Sequence, residues 1–158
     1  MSESVEFGLN KASEAQIVEH LLRCDADFVP PLSDRVEISD YAKKIASKAM
    51  RFEAWSGDML VGLVAAYYND QEQRIAYITG VSVLREWTGK GIAASLMRRC
   101  IDNAKASGMR QISLEVANGN SPAFGLYEKS GFIAGKTNAP FVTMNLSLIE
   151  RGKHEQQT

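Results

Sequence analysis

A helix framed by two strands constrains this chain more than any other feature. Residues 91–106 place Ile92, Ala93, Leu96, Met97, Cys100, Ile101 and Ala104 at the 3.6-residue period, and Gly108 ends the run. The flanking segments RIAYITGVSV (74–83) and RQISLEV (110–116) are short and rich in β-branched residues, the pattern of strands. Two strands joined through such a crossover are expected to lie parallel and adjacent, since a hairpin needs only a few linking residues.

The remaining segments extend the sheet. VEFGL (5–9) reads as a strand, and KASEAQIVEHLLRC as a helix with a Ser13-x-x-Gln16 capping box and Ile17, Leu21 and Cys24 on one face. Two prolines keep DADFVPPLSDRVE out of helix, and a second helix capped by Ser39 follows, with Tyr41, Ile45 and Ala49 as its stripe. MRFEAW, the turn SGD and MLVGLVAAYY form a hairpin that continues through NDQEQ into the strand at 74–83. Residues 120–132, NSPAFGLYEKSGF, form a short helix with Ser121 as N-cap, Pro122 at the first helical position and Gly131 past the last turn. FIAGK and FVTMNLSL close the chain as strands. The order β-α-α-β-β-β-α-β-α-β-β describes an α/β fold: a mixed antiparallel/parallel central sheet with helices on both faces. Gly80, near the end of its strand, predicts a bulge or a close backbone approach by a ligand. A bulge there splays the two parallel strands and opens a cleft.

At 158 residues the chain fits one domain, residues 1–149, followed by a polar tail at 150–158 that reads as flexible. Lysine and arginine number 18 against 19 acidic residues, net charge -1, which lacks the basic excess of a nucleic-acid binder. Cys24 and Cys100 sit in helical segments with no disulfide framework or C-x-x-C site, as expected in a reducing cytoplasm. No apolar run approaches the roughly 20 residues that span a bilayer. His20 and His154 have no ligand partners nearby in sequence, so no metal is expected.

TGKGIAA, residues 88–94, joins strand to helix, where unpaired backbone N–H groups and the helix dipole favour an anion. Gly89 and Gly91 let a phosphate approach the backbone, with Thr88, Lys90, Ile92, Ala93 and Ala94 completing the loop. The spacing is neither a Walker loop nor G-x-G-x-x-G, since position 94 is Ala. It suits a diphosphate held by backbone alone, although two glycines also make an ordinary strand-to-helix turn.

The sequence resembles the GNAT superfamily of acyl-CoA-dependent N-acyltransferases over about residues 5–148. That family's pyrophosphate loop, Q/R-x-x-G-x-G/A, is matched at Gly89 and Gly91 and departs at Glu86 and Thr88. Its motif N-x-x-A-x-x-L-Y-E-K-x-G-F is matched at every specified letter by Asn120, Ala123, Leu126, Tyr127, Glu128, Lys129, Gly131 and Phe132. The C-terminal half is similar to bacterial ribosomal-protein alanine acetyltransferases, whose base Glu precedes the motif Asn by five residues and the acid Tyr by twelve. Glu115, Asn120 and Tyr127 have that separation. The substrate-facing half does not clearly match. The resemblance implies that acetyl-CoA is the cosubstrate and that Val81, Ser82 and Val83 pair with its pantetheine arm like a strand.

Acetyl transfer to an amine by direct attack needs a neutral amine, a polarised thioester and a proton for the departing thiolate. Tyr127 is the candidate acid, against a reading as a core aromatic with a satisfied hydroxyl. Asn120 suits the peptide-like pantetheine arm or caps the helix. Glu115, opposite in strand direction to Leu114 and Val116, is the candidate base if partly buried in the cleft, or else a solvated surface carboxylate. Tyr77 and Thr79, on the central strand, could instead hold a water. Phe28 and the Pro30-Pro31 pair offer an apolar wall for the acceptor, with Asp25, Asp27 and Asp34 to attract an ammonium, or else form a plain loop. The acceptor amine is open: a protein N-terminus, a lysine, a polyamine, an amino sugar and an antibiotic all fit. An acyl-CoA-binding sensor without turnover, or a hydrolase, is the alternative reading. Pairing through the final strands into a homodimer is compatible with the fold.

Overall fold

The computed structural model describes residues 4–149; the tail at 150–158, with His154, lies outside them. Seven strands and four helices alternate in the expected order: β1 (Glu6–Leu9), α1 (Glu14–Cys24), α2 (Ile38–Lys48), β2 (Met50–Ser56), β3 (Met59–Asp70), β4 (Ile75–Val83), α3 (Ile92–Ala106), β5 (Gln111–Ala117), α4 (Ser121–Lys129), β6 (Ile133–Asn138) and β7 (Phe141–Ser147). They form one sheet in the order β1-β2-β3-β4-β5-β7-β6. Every neighbouring pair is antiparallel except β4 and β5, which run parallel as the crossover requires.

The helices bury both faces of the sheet. On one side Ile17 and Leu21 of α1 and Ile38, Ala42 and Ile45 of α2 pack on Leu60, Leu63 and Ala65 of β3. On the other, Ile92, Leu96, Met97 and Cys100 of α3 join Tyr127 of α4 over Val61, Val64, Ala76 and Ile112. Removal of these side chains from water is the main stabilising term, about 1.5–3 kcal/mol for each large aliphatic.

Helix starts differ from the expected ones in two places. Glu37, not Ser39, caps α2 and accepts from the Asp40 N–H. The earlier start brings buried Ile38 onto the stripe with Ala42 and Ile45, one and two turns on. Tyr41 is thereby turned towards β4. Asn120, not Ser121, caps α4, its side-chain oxygen accepting from the Ala123 N–H at 3.4 Å. Both residue types cap well, so local sequence does not choose between them.

Gly62 of β3 fits α3 to the sheet. A Cβ at that position would lie 2.8 Å from Ile92 Cγ2 and 3.1 Å from Leu96 Cδ1. Ile92 is the first residue of α3, a β-branched side chain that cannot swing aside cheaply. We expect Gly62→Ala to lower stability by roughly 1–3 kcal/mol in denaturant titration, by overpacking. Unchanged stability would mean that α3 slides freely on β3.

Candidate active site

The bulge expected at Gly80 is present one residue earlier. Ala65 pairs with Gly80 and Ala66 with Ile78, leaving Thr79 as the extra residue. Tyr41 approaches Gly80 closely, since a Cβ on Gly80 would meet the Tyr41 hydroxyl at 3.1 Å. That hydroxyl donates to the Thr79 carbonyl at 2.8 Å and lies 2.8 Å from the Thr79 hydroxyl. Thr79 is thus engaged by protein, which counts against its holding a water. Beyond Ile78 and Leu114 the ladder between β4 and β5 stops, so the two parallel strands separate from that point.

Two cavities open in the gap. The larger, about 440 Å³, is lined by Val81, Ser82 and Val83 of β4, Thr88, Gly89, Gly91, Ile92, Ala93 and Ala94 at the entrance to α3, and Asn120 and Ala123 of α4. Gly89 and Gly91 both have φ +79°, a left-handed conformation that glycine adopts without strain, and a Cβ on either would meet nothing within 4 Å. No side chain caps α3, so its first N–H groups remain available to an anion at the open cradle. The Thr88 hydroxyl donates back to the Arg85 carbonyl at 2.7 Å. Lys90 does not line the cavity.

The smaller cavity, about 120 Å³, holds Glu115, Tyr127, Tyr77 and Arg35. Asp27, Phe28, Val81, Asn120 and Ala123 line both spaces and form their junction. Tyr127 is 8% exposed, and its ring packs against Phe132 with centroids 6.0 Å apart. Its hydroxyl makes no hydrogen bond among the described residues, unlike that of a satisfied core tyrosine. Burial pushes the phenol up to about 12, so it is protonated at neutral pH. Glu115 is exposed rather than partly buried, and accepts from the Tyr77 hydroxyl at 3.5 Å.

The expected acceptor wall is brought together only in part. Phe28 stands at the junction, whereas Pro31 is exposed and lines neither cavity. Asp25 accepts from the Ser33 N–H at 2.7 Å, and Asp34 also lies outside both spaces. Asp27 is at the junction, but its carboxylate is paired with the Arg85 guanidinium.

Nothing near His20 in sequence marks it for a role, yet the fold gives its ring two strand partners, with the Cys24 sulfur 3.7 Å from Nε2 as a third contact. Its Nδ1 lies 2.8 Å from the Leu60 carbonyl and its Nε2 2.8 Å from the Ser82 hydroxyl. A carbonyl only accepts, so Nδ1 carries the proton and Nε2 accepts from Ser82. Burial lowers the ring to about 4 and keeps it neutral. The ring ties α1 to β3 and to the strand beside the larger cavity. Among the described residues no group of three or more His, Cys, Asp or Glu could hold a metal ion, and no helix is long and apolar enough to cross a membrane.

A mixed sheet whose parallel pair parts beside a helix N-terminus defines an α/β protein with a cleft between its central strands. Residues 15–132 match the model of the acetyltransferase (GNAT) family. The chain belongs to that family. The mycothiol acetyltransferase of Corynebacterium glutamicum is 30% identical over 87 residues, 55% of this chain and 29% of that protein. The chain therefore spans less than a third of that curated relative's length. In fold it is similar to the PaiA N-acetyltransferase of Thermoplasma acidophilum, solved in complex with coenzyme A, with a TM-score of 0.71 and 18% identity over 91% of this chain and 99% of that one. The ribosomal-protein-S18-alanine N-acetyltransferase of Escherichia coli superposes with a TM-score of 0.73 at 16% identity, covering 95% of this chain and 97% of that one.

Proposed function

We propose that this protein is an N-acetyltransferase that moves an acetyl group from acetyl-CoA to a primary amine by direct attack. One observation carries the reading: a cavity running from the Gly89–Gly91 cradle along β4 meets a second cavity lined by a carboxylate, Glu115, and by Tyr127, whose phenol has no hydrogen-bond partner among the described residues.

Acetyl-CoA, when bound, supplies a thioester whose acyl carbon accepts the amine. The residues around it bind, orient and move protons. Gly89, Gly91 and the first N–H groups of α3 hold the diphosphate through backbone. Val81, Ser82 and Val83, freed from β5, offer strand edge to the pantetheine arm and an N–H to the thioester oxygen, a polarising contact of the oxyanion-hole type. Asn120 has its side-chain oxygen committed to the helix cap and its amide N–H groups free for the arm. Glu115 takes a proton from the incoming ammonium, directly or through a water, while Tyr127 gives its proton to the departing thiolate. The nitrogen loses two protons in becoming an amide: Glu115 takes the first before attack and passes it to solvent, and the second leaves the tetrahedral adduct to restore the Tyr127 phenol that protonated the thiolate, so one proton is released per turnover.

Thiol release from acetyl-CoA, measured with and without a panel of primary amines, tests the reading. Amine-dependent release is expected. Binding without release would favour an acyl-CoA sensor, and release independent of amine a hydrolase; either outcome removes the transferase.

A further inference from the structure

The smaller cavity contains an arrangement that the transfer chemistry does not use. Arg35 lies on the connection between α1 and α2, exposed, with its guanidinium carbon 4.9 Å from the Phe141 ring centroid. This cation–π contact holds the guanidinium over the ring, and its N–H donors make no hydrogen bond among the described residues. Among the described residues the ion pairs are Arg51 with Glu53 and Arg85 with Asp27, so Arg35 has no carboxylate partner.

Glu115 lines the same cavity. Both charges act on a third group lining the same space: the Tyr77 phenol is raised by burial and by the neighbouring Glu115 carboxylate, and lowered by Arg35. Two opposite charges thus share one small space without touching, although closing the gap would gain Coulomb energy. The space left is about 120 Å³, roughly the liquid volume of four waters. The third charge in the cavity, Asp27, is already neutralised by Arg85.

We infer that the acceptor is a small amine carrying an anionic group, a carboxylate or phosphate, a few bonds from the nitrogen, with the anion held by Arg35 and the ammonium directed at Glu115. The inference rests on the acetyltransferase reading and adds the substrate class to it. The cavity has room for the small zwitterionic end of such a molecule. A plain amine satisfies Glu115 and leaves the guanidinium without a counter-charge; a polyamine brings a second cation against it. Arg35 is therefore a specificity-determining residue, and the fork of donors on its guanidinium matches the planar oxygens of a carboxylate or two oxygens of a phosphate.

The test uses matched acceptors that differ only in the anion: ethanolamine against phosphoethanolamine, and β-alanine amide against β-alanine. With the full-length protein and acetyl-CoA, the anionic member of at least one pair is expected to have a kcat/KM roughly 10- to 100-fold higher, mostly through KM. The pair that responds separates phosphate from carboxylate. Arg35→Ala should collapse that ratio towards one, and Arg35→Glu should invert it. Acetyl-CoA affinity of each variant, by calorimetry, serves as the folding check. Equal or better turnover of the neutral members, or a ratio indifferent to Arg35→Glu in a variant that still binds acetyl-CoA, overturns the inference and leaves the transferase standing. No turnover of any amine, charged or neutral, overturns both.

Discussion

Tyr127→Phe is expected to lower kcat by roughly 10²–10⁴ with little change in acetyl-CoA affinity, the usual scale for loss of a positioned general acid. The substitution removes one oxygen and keeps the ring, so packing against Phe132 survives. The hydroxyl makes no hydrogen bond to the described residues, and its loss therefore orphans no buried partner. Burial pushes the phenol up to about 12, so the wild type carries the proton throughout the neutral range and the two proteins differ there by one O–H group. A structural tyrosine would give a different pattern: reduced stability with kcat preserved. Single-turnover rates in the wild type and the variant separate the two, and an unchanged chemical step would exclude Tyr127 from proton transfer.

Acid should weaken the fold through His20 specifically. The ring is 1% exposed and its proton affinity falls from the ordinary 6.5 to about 4 in the folded protein. As pH drops below 6.5 the unfolded chain takes up a proton that the folded chain refuses until about 4. The stability that the neutral ring contributes is thus complete above 6.5 and is lost through that window. The slope is about 1.4 kcal/mol for each pH unit, roughly 3 kcal/mol in all. Carboxylates titrate in part of the same range, so the observable is a difference. Urea midpoints of the wild type should fall more steeply between pH 6.5 and 4 than those of His20→Gln, which keeps a donor for Leu60 and cannot ionise. Parallel slopes would mean that the ring protonates in the folded protein as easily as in water.

The two expectations differ in how they could be reached from sequence. Tyr127 lies within a local motif, where Asn120, Ala123 and Tyr127 fall on one helix and its cap, so their side-by-side placement follows from 3.6 residues per turn. The Gly89–Gly91 loop was legible for the same reason, since strand, turn and helix are contiguous. Alternation along 111–117 placed Glu115 opposite Leu114 and Val116, and the structure keeps that pattern while leaving the carboxylate more exposed than expected. His20 gave no such signal. Its partners are 40 and 62 residues away, and a histidine on an apolar helix face carries no mark of which strand it will meet.

The chain's own order of apolar and polar residues determined the number of elements, their types and the parallel crossover, because helical and strand periodicities are local and a strand-helix-strand unit has one favoured hand. Tertiary structure alone decided where β4 leaves β5, that Tyr41 fills the space over Gly80, and that Arg35 and Glu115 line one cavity while Pro31 stays outside it. Those outcomes depend on bulge position and on side chains meeting across distant segments. The energy of such meetings is set by burial and charge in three dimensions, and no short window of sequence carries it.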